Sequence, residues 1–282
     1  MSRLRHPVSF AVPLLMLVAA ATIGAQRPAS SVPDQGKARQ FMDDCNHRWG
    51  GDDDEHFCEV RDFTLPATHS LDIDAGQNGS VTVHGRDGND ILVVAMIDAH
   101  ANDSAEAQRL AKGAQVHTDG GRVRADLPDD MRRHESVAVS YEVWLPRDTD
   151  LDLEAENGGI AVDNVSSHVR LETTNGSVRL RDVGGDVHGG TTNGSVGVEL
   201  SGDRWNGEGL DLRTTNGSVR LTLPTNYSAH LTTGTVNGGM NIDFPITVQG
   251  RISREISADI GKGGAPIRVV TTNGGVSIRR QP

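Results

Sequence analysis

The chain has 282 residues, of which 36% are hydrophobic and only 4% aromatic, and its 33 glycines are about 12% of the total against an average near 7%. The formal net charge is −11, from 27 basic and 38 acidic residues, which excludes a general nucleic-acid-binding protein because phosphate neutralisation needs a basic surface. The mean hydropathy of −0.39 excludes a polytopic membrane protein.

Residues 1–25 have the pattern of a secretory signal peptide. Arg3 and Arg5 form a positively charged start, an apolar stretch runs from Val8 to Ile23, and small residues end the segment at Ala25. Cleavage there leaves 25 basic and 38 acidic residues, a net charge of −13. An uncleaved anchor is the alternative. We expect an exported protein in the periplasm, on the cell surface or in the medium, without a transmembrane anchor after cleavage.

Residues 26–56 are predicted to be a flexible linker that includes most of a small disulfide loop. Cys45 and Cys58 are the only two cysteines in the chain, and export to an oxidising compartment predicts that they pair. His47 and His56 lie inside the loop, so a Cys2His2 metal set is the alternative, although its spacing departs from zinc-finger patterns. We expect no metal and no cofactor.

Residues 57–150 are predicted to be a β-rich N-terminal part with one short helix. The apolar run Ile91–Ile97 is typical of a strand buried on both faces, and Val137–Val143 alternates as another strand. Asp103–Lys112 is the helix candidate, with an N-capping aspartate followed three residues later by a glutamate. These strands are expected to cap the first rung of the repeat region.

Residues 151–282 contain an internal repeat that decides the predicted fold. Thr-Thr-Asn-Gly-Ser-Val occurs three times with weaker copies around it, and the repeat asparagines lie 18, 18, 23, 21 and 36 residues apart. In a stack of such rungs, their amides are expected to form a ladder in an interior corner, where glycine supplies a positive φ. The predicted corner residues are Asn157, Asn175, Asn193, Asn216, Asn237 and Asn273, with Gly176, Gly194 and Gly217.

Apolar residues alternate with polar ones on both sides of each repeat asparagine, which predicts two strands per repeat, each with one buried face. Asn-Gly between such arms is also a hairpin signal, so an antiparallel β-sandwich is the alternative. A hairpin would oppose Arg170 to Arg181 and Asp152 to Asp163, whereas stacking brings Asp152 beside Arg170. We therefore predict an all-β, right-handed parallel β-helix with about 18 residues per rung.

Two polar segments are candidates for ligand binding. Asp203, Arg204, Trp205 and Asn206 lie in a segment that lengthens one repeat, and the indole could stack on a sugar; the alternative is that Trp205 folds back over a rung. The acidic face of the strand Asp148–Glu154 is interpreted as a solvent face, with cation binding as the alternative. No zinc pair, phosphate loop or nucleophile elbow is present, so we predict no catalytic residue.

The signal peptide, the Cys45…Cys58-Glu59-Val60-Arg61 segment and the Thr-Thr-Asn-Gly-Ser-Val rungs resemble the bacterial putative-adhesin domain family. The resemblance covers Phe57 to Ile278. It implies an exported right-handed β-helix and carries over no catalytic residue.

The predicted function is that of a non-enzymatic binding module of the cell envelope. It would present its repeat faces to a surface, a polysaccharide or an envelope protein, as an adhesin does, and no nucleic acid is expected as a partner. A periplasmic scaffold or sensing component is one alternative. A polysaccharide-active enzyme is another, because parallel β-helices also carry lyases and hydrolases, which work through clustered carboxylates.

Overall fold

The computed structural model describes residues 36–47, 55–244 and 254–281. The predicted signal peptide lies outside these residues. The helices are α1 (Gly36–His47) and α2 (Ser104–Gly113), and the first strands are β1 (Glu55–Pro66), β2 (Ser70–Asp74), β3 (Val81–Arg86), β4 (Asp90–Ala101), β5 (Gln115–His117), β6 (Arg122–Asp126) and β7 (Ser136–Pro146). The repeat region forms β8 (Asp150–Ala155), β9 (Ile160–Asp163), β10 (Ser166–Thr173), β11 (Val178–Arg181), β12 (Gly184–Asn193), β13 (Val196–Glu199), β14 (Gly209–Asn216), β15 (Val219–Pro224), β16 (Ala229–Asn237), β17 (Met240–Ile242), β18 (Glu255–Ile260), β19 (Pro266–Asn273) and β20 (Val276–Gln281).

The strands form two ten-stranded sheets of mainly parallel pairs. Sheet A has the order β1-β4-β7-β3-β9-β11-β13-β15-β20-β17, and sheet B has the order β18-β16-β19-β14-β12-β10-β8-β2-β6-β5. The two arms of one repeat lie in different sheets and do not pair as a hairpin, so the antiparallel alternative is wrong for the repeats. Val169 of β10 instead pairs in parallel with Leu151 and Val187, each 18 residues away.

Strands at both ends of the stack lie out of chain order. The last two strands, β19 and β20, are inserted between β14–β15 and β16–β17. At the other end, β2 and β3 lie between β8–β9 and the later strands β6 and β7. The sequence predicts that successive repeats stack in chain order. This prediction is wrong at both ends of the stack, because the strand pairs β2–β3 and β19–β20 each lie between two other pairs of strands.

The hydrophobic core lies between the sheets. Inward positions form aliphatic columns along the stack, and burying one such side chain contributes roughly 1.5–3 kcal/mol. One column of sheet B consists of Leu71, Leu151, Val169, Val187, Leu210, Ile267 and Leu231, all at most 4% exposed. The charged positions between them face outward, which is the alternation that the repeat pattern predicts.

The repeat glycines are required because neighbouring turns approach closely. A Cβ atom at Gly176 would overlap the carbonyl oxygen of Gly158, and one at Gly194 would overlap that of Gly176. The same holds at Gly217 against Gly194. The predicted role in a positive φ is wrong for Gly176, Gly194 and Gly217, because these three have none. Their function is to leave room for the next backbone.

The repeat asparagines form a continuous amide ladder along one edge of the stack. Six of the seven Nδ2 groups, all except that of Asn78, donate a hydrogen bond of 2.7–3.3 Å to the Oδ1 of the preceding asparagine in the ladder. The spatial order is Asn78, Asn157, Asn175, Asn193, Asn216, Asn273 and Asn237. All seven side chains are exposed, so the predicted interior position of the ladder is wrong.

The N-terminal part departs from the predicted linker. Residues 36–47 form α1, where Ala38 packs against Val94 and Trp144 on the outer face of sheet A. The predicted disulfide between Cys45 and Cys58 is confirmed and ties α1 to β1. Because the helix covers part of this face, Val94 of β4 is buried there, whereas Leu92 and Met96 are only half-buried, so the burial on both faces that the apolar run predicts is partial.

The predicted short helix is confirmed as α2. Asp103 caps it by accepting a hydrogen bond of 2.9 Å from the Glu106 amide. Of the helices in the described ranges, none is long and apolar enough to cross a bilayer.

The close approach of the turns can be tested with two glycines of the repeat motif. We expect Gly194→Ala to lower the free energy of unfolding by about 1–3 kcal/mol, since its methyl group meets fixed backbone. Gly239→Ala is the control, because its Cβ would meet nothing within 4 Å, and we expect a change within about 0.5 kcal/mol. Equal losses in urea unfolding would contradict the steric argument.

Candidate binding groove

The outer face of sheet B carries an open groove of about 780 Å³ that crosses β2, β8, β10 and β12. A second groove of about 630 Å³ adjoins it on the same strands, and Arg170 and His188 line both. Side chains of a strand point alternately to the two faces of the sheet. The apolar side chains of these strands point inward and fill the core, so the outward side chains are the polar ones. The two grooves therefore form one polar surface, which we call the acidic groove.

Carboxylates occupy directly paired positions in the acidic groove. Asp74, Glu154 and Glu172 form one row on β2, β8 and β10, and Asp72 pairs with Asp152 in the next row. Neighbouring strands lie about 4.8 Å apart, and like charges in paired positions are destabilising. Repulsion between the carboxylates of this row therefore destabilises the fold locally.

Two arginines compensate only part of this charge. Arg122 Nε lies 2.9 Å from Asp72 Oδ2, and Arg170 Nη2 lies 2.9 Å from Glu172 Oε1. Arg170 Nε also lies 3.9 Å from Asp152. These ion pairs are largely exposed and are therefore weak. The lining of the two grooves contains eight carboxylates and three guanidinium groups, so the acidic groove is negative.

Glu154 lies at the centre of this negative surface. Its pKa is raised above the ordinary glutamate value, first because partial burial desolvates the carboxylate and then because Asp152, Asp74, Asp72 and Glu172 repel its charge. Titratable groups with such shifts are concentrated at functional sites. A cation entering the groove would stabilise the ionised form of Glu154.

Two glycines of β12 form the gap between the acidic row and Arg213. Gly190 occupies the outward position between Glu172 and Arg213, and Gly189 precedes it. A Cβ atom at Gly190 would overlap the Arg213 carbonyl oxygen, and one at Gly189 would overlap that of Leu171. Their φ angles of +159° and +145° also favour glycine. The groove is thus open here because side chains are excluded.

The structure does not support the predicted ligand loop. Trp205 is only 5% exposed and donates its Nε1–H to the Gly185 carbonyl at 2.9 Å, so the indole covers a rung and cannot stack on a sugar. Asp203, Arg204 and Asn206 are exposed. A hydrogen bond from Arg204 lowers the pKa of Asp203. None of the four lines the acidic groove.

Sequence reasoning recognised one strand of this site and missed the others. Asp152 and Glu154 belong to the acidic strand face that the sequence predicts to be a solvent face. Asp72 and Asp74 are distant in the sequence, and only the insertion of β2 beside β8 brings them into the same rows. In the ranges that the structure covers, no group of three or more His, Cys, Asp or Glu side chains is arranged to hold a metal ion.

Residues 147–279 match the family model described as Toastrack DUF4097. No protein among the curated sequences matches the chain.

Nine solved chains resemble its structure. They include a "putative cell adhesion protein" from Clostridium sporogenes, with 11% identity, a TM-score of 0.47 and coverage of 80% of this chain and 100% of the other. A "putative adhesin" from Bacteroides fragilis has 11% identity, a TM-score of 0.33 and coverage of 80% and 97%. A "putative lipid binding protein" from Parabacteroides distasonis has 8% identity, a TM-score of 0.31 and coverage of 80% and 97%.

The raised pKa of Glu154 predicts a pH-dependent effect of its removal. Between the ordinary and the raised pKa the folded chain binds more protons than the unfolded chain, so the contribution of Glu154 to stability falls as pH rises through this window. We expect Glu154→Gln to raise the free energy of unfolding at pH 7 by up to about 0.5 kcal/mol. The gain should disappear below about pH 4.

Glu208→Gln, an exposed change outside the groove, is the control for this measurement and should show no such pH-dependent gain. A loss of stability at pH 7 for Glu154→Gln would contradict repulsion within the row.

Proposed function

We propose that the chain is an exported binding module of the bacterial cell envelope and that its acidic groove holds a lysine- or arginine-rich segment of a protein partner. The observation that carries this proposal is the row of Asp74, Glu154 and Glu172 in an open groove. A basic segment would supply the charge that Arg122 and Arg170 leave uncompensated. The acidic chain as a whole would also attract such a partner over a distance.

The shape and lining of the groove favour an extended basic segment over a neutral sugar. The three carboxylates follow one another at the spacing of adjacent strands, about 4.8 Å, so they can meet two or three side chains of an extended peptide. The residues lining the larger groove include no Phe, Tyr or Trp, which are the side chains that offer a flat apolar face for stacking. This composition favours charge recognition.

Two further features support the proposed location and architecture. A disulfide such as Cys45–Cys58 is typical of oxidising compartments, and the signal-peptide pattern agrees with export. The 18-residue offset between paired strands, as between Leu151 and Val169, supports a parallel β-helix. The right-handed sense rests on the family resemblance.

Binding of fluorescent decalysine to the purified chain, measured by anisotropy, tests the proposed function. We expect saturable binding that weakens steeply with salt, because exposed charges are screened. Glu154→Lys should weaken binding by about tenfold, equivalent to roughly 1.4 kcal/mol. Decaglutamate and neutral dextran should not compete.

Glu208→Lys changes the net charge equally but lies outside the groove and is the matched control. We expect it to change the affinity less than twofold. Equal effects of the two variants would show that binding follows net charge alone and would overturn the assignment to the groove. Competition by neutral dextran would instead identify a glycan-binding module.

A further inference from the structure

At the opposite end of sheet B, three side chains have the hydrogen-bond arrangement of an activated serine. His230 lies on β16, and Ser257 and Asp259 lie on the antiparallel strand β18, where Asp259 pairs with His230. His230 Nδ1 lies 2.7 Å from Asp259 Oδ1, and His230 Nε2 lies 2.9 Å from Ser257 Oγ. All three side chains are accessible to solvent.

Each contact has a defined chemical role. A carboxylate beside Nδ1 accepts a hydrogen bond from the Nδ1–H group and so fixes the tautomer in which Nε2 is the acceptor. Nε2 then accepts the hydrogen bond of the Ser257 hydroxyl and can take its proton when the oxygen attacks. Thr232 Oγ1 lies 3.1 Å from Ser257 Oγ. This hydroxyl is placed to donate to an oxyanion formed beside the serine.

A groove of about 300 Å³ lies further along the same strands, and none of the three side chains lines it. Its lining includes Glu255, two residues before Ser257, and Gly234, which pairs with Glu255. Arg213, Arg254 and Arg268 also line it. Arg268 pairs with Asp211 at 3.1 Å and with Glu255 at 3.7 Å, and Arg213 Nη2 lies 3.9 Å from Asp211 Oδ2. Arg254 is therefore the guanidinium group that we expect an anionic group in this groove to meet first.

We propose that Ser257, His230 and Asp259 form an acyl-transfer site for esters whose acyl part carries a carboxylate, with the arginine-lined groove holding that carboxylate. This site lies apart from the acidic groove and does not rest on the function proposed for it. It also departs from the prediction, made from motifs alone, that the chain has no catalytic residue.

The reaction uses only the ester and water. Ser257 Oγ bonds to the ester carbonyl carbon as its proton passes to His230 Nε2. The carbon–oxygen bond to the alcohol then breaks, and His230 returns the proton to the leaving oxygen. Water attacks the acyl-serine, gives a proton through His230 to Ser257 Oγ, and releases the carboxylic acid. Exposure to solvent weakens electrostatic stabilisation of the oxyanion, so we expect slow turnover.

The test combines covalent labelling with hydrolysis by the full-length purified protein. A fluorophosphonate probe followed by peptide mass spectrometry should label Ser257. The p-nitrophenyl monoester of succinate should be hydrolysed faster than p-nitrophenyl acetate. Ser257→Ala should abolish the label and lower the hydrolysis rate roughly 100-fold, as loss of an assisted nucleophile does. Ser195→Ala, which changes an exposed serine at a repeat turn, is the matched control.

Further variants separate chemistry from binding. Asp259→Asn should reduce labelling while the thermal unfolding curve stays unchanged, because the side chain is exposed. Arg254→Gln should reduce the ratio of the succinate rate to the acetate rate, since it removes a charge from the groove. Absence of a label on Ser257, or equal hydrolysis by Ser257→Ala, would overturn the site. Equal rates for both esters in the unmodified chain would overturn its specificity. Decalysine binding should be unaffected by Ser257→Ala.

Discussion

The contact between successive repeat turns is the constraint on which this structure depends. The carbonyl oxygen of Gly158 occupies the space that a side chain at Gly176 would need, and the same contact recurs between Gly176 and Gly194. Because the backbones meet here, the strands on both sides of each turn enter the two sheets in a fixed register. The asparagine ladder and the aliphatic columns follow from that register. The outward side chains consequently stand in straight rows across the strands.

These rows form the acidic groove and the arginine-lined groove only because the terminal strand pairs are inserted out of chain order. Inserting β2 beside β8 brings Asp74 next to Glu154 and completes the acidic groove. Because β19 lies between β14 and β16, Arg268 is flanked by two strands that are not its neighbours in the sequence. Sheet B thus has an acidic surface towards one end and an arginine-lined groove with a serine–histidine pair towards the other.

Periodicity predicted much of this fold. The alternation of apolar residues around each Asn-Gly predicted the strands and their inward faces, and the N-cap Asp103 predicted α2. Strand insertion left no periodic signal, because Asn273 has the same flanking pattern whether its rung follows Asn237 or lies inside the stack. The prediction that the asparagines lie in the interior is wrong, because a ladder of amides can satisfy its hydrogen bonds at an exposed edge.

The sites were harder to predict than the fold because their residues meet across strands. His230 and Ser257 belong to no motif, and they meet only because β18 returns antiparallel to β16. The position of Trp205 in a loop predicts an aromatic side chain that stacks on a ligand, but its indole covers a rung and donates its N–H to the Gly185 carbonyl.

The most direct test of this account is disulfide cross-linking between neighbouring outward positions of sheet B. Thr215 of β14 and Thr272 of β19 lie in adjacent strands, whereas Val236 of β16 lies one strand further from Thr215. Adjacent strands are about 4.8 Å apart, within disulfide reach, and next-but-one strands about 9.6 Å apart, beyond it. Mass spectrometry after mild oxidation should find a cross-link in the variant Thr215→Cys/Thr272→Cys and none in Thr215→Cys/Val236→Cys. The reverse result would place β16 beside β14 and contradict the strand order from which both surfaces are built.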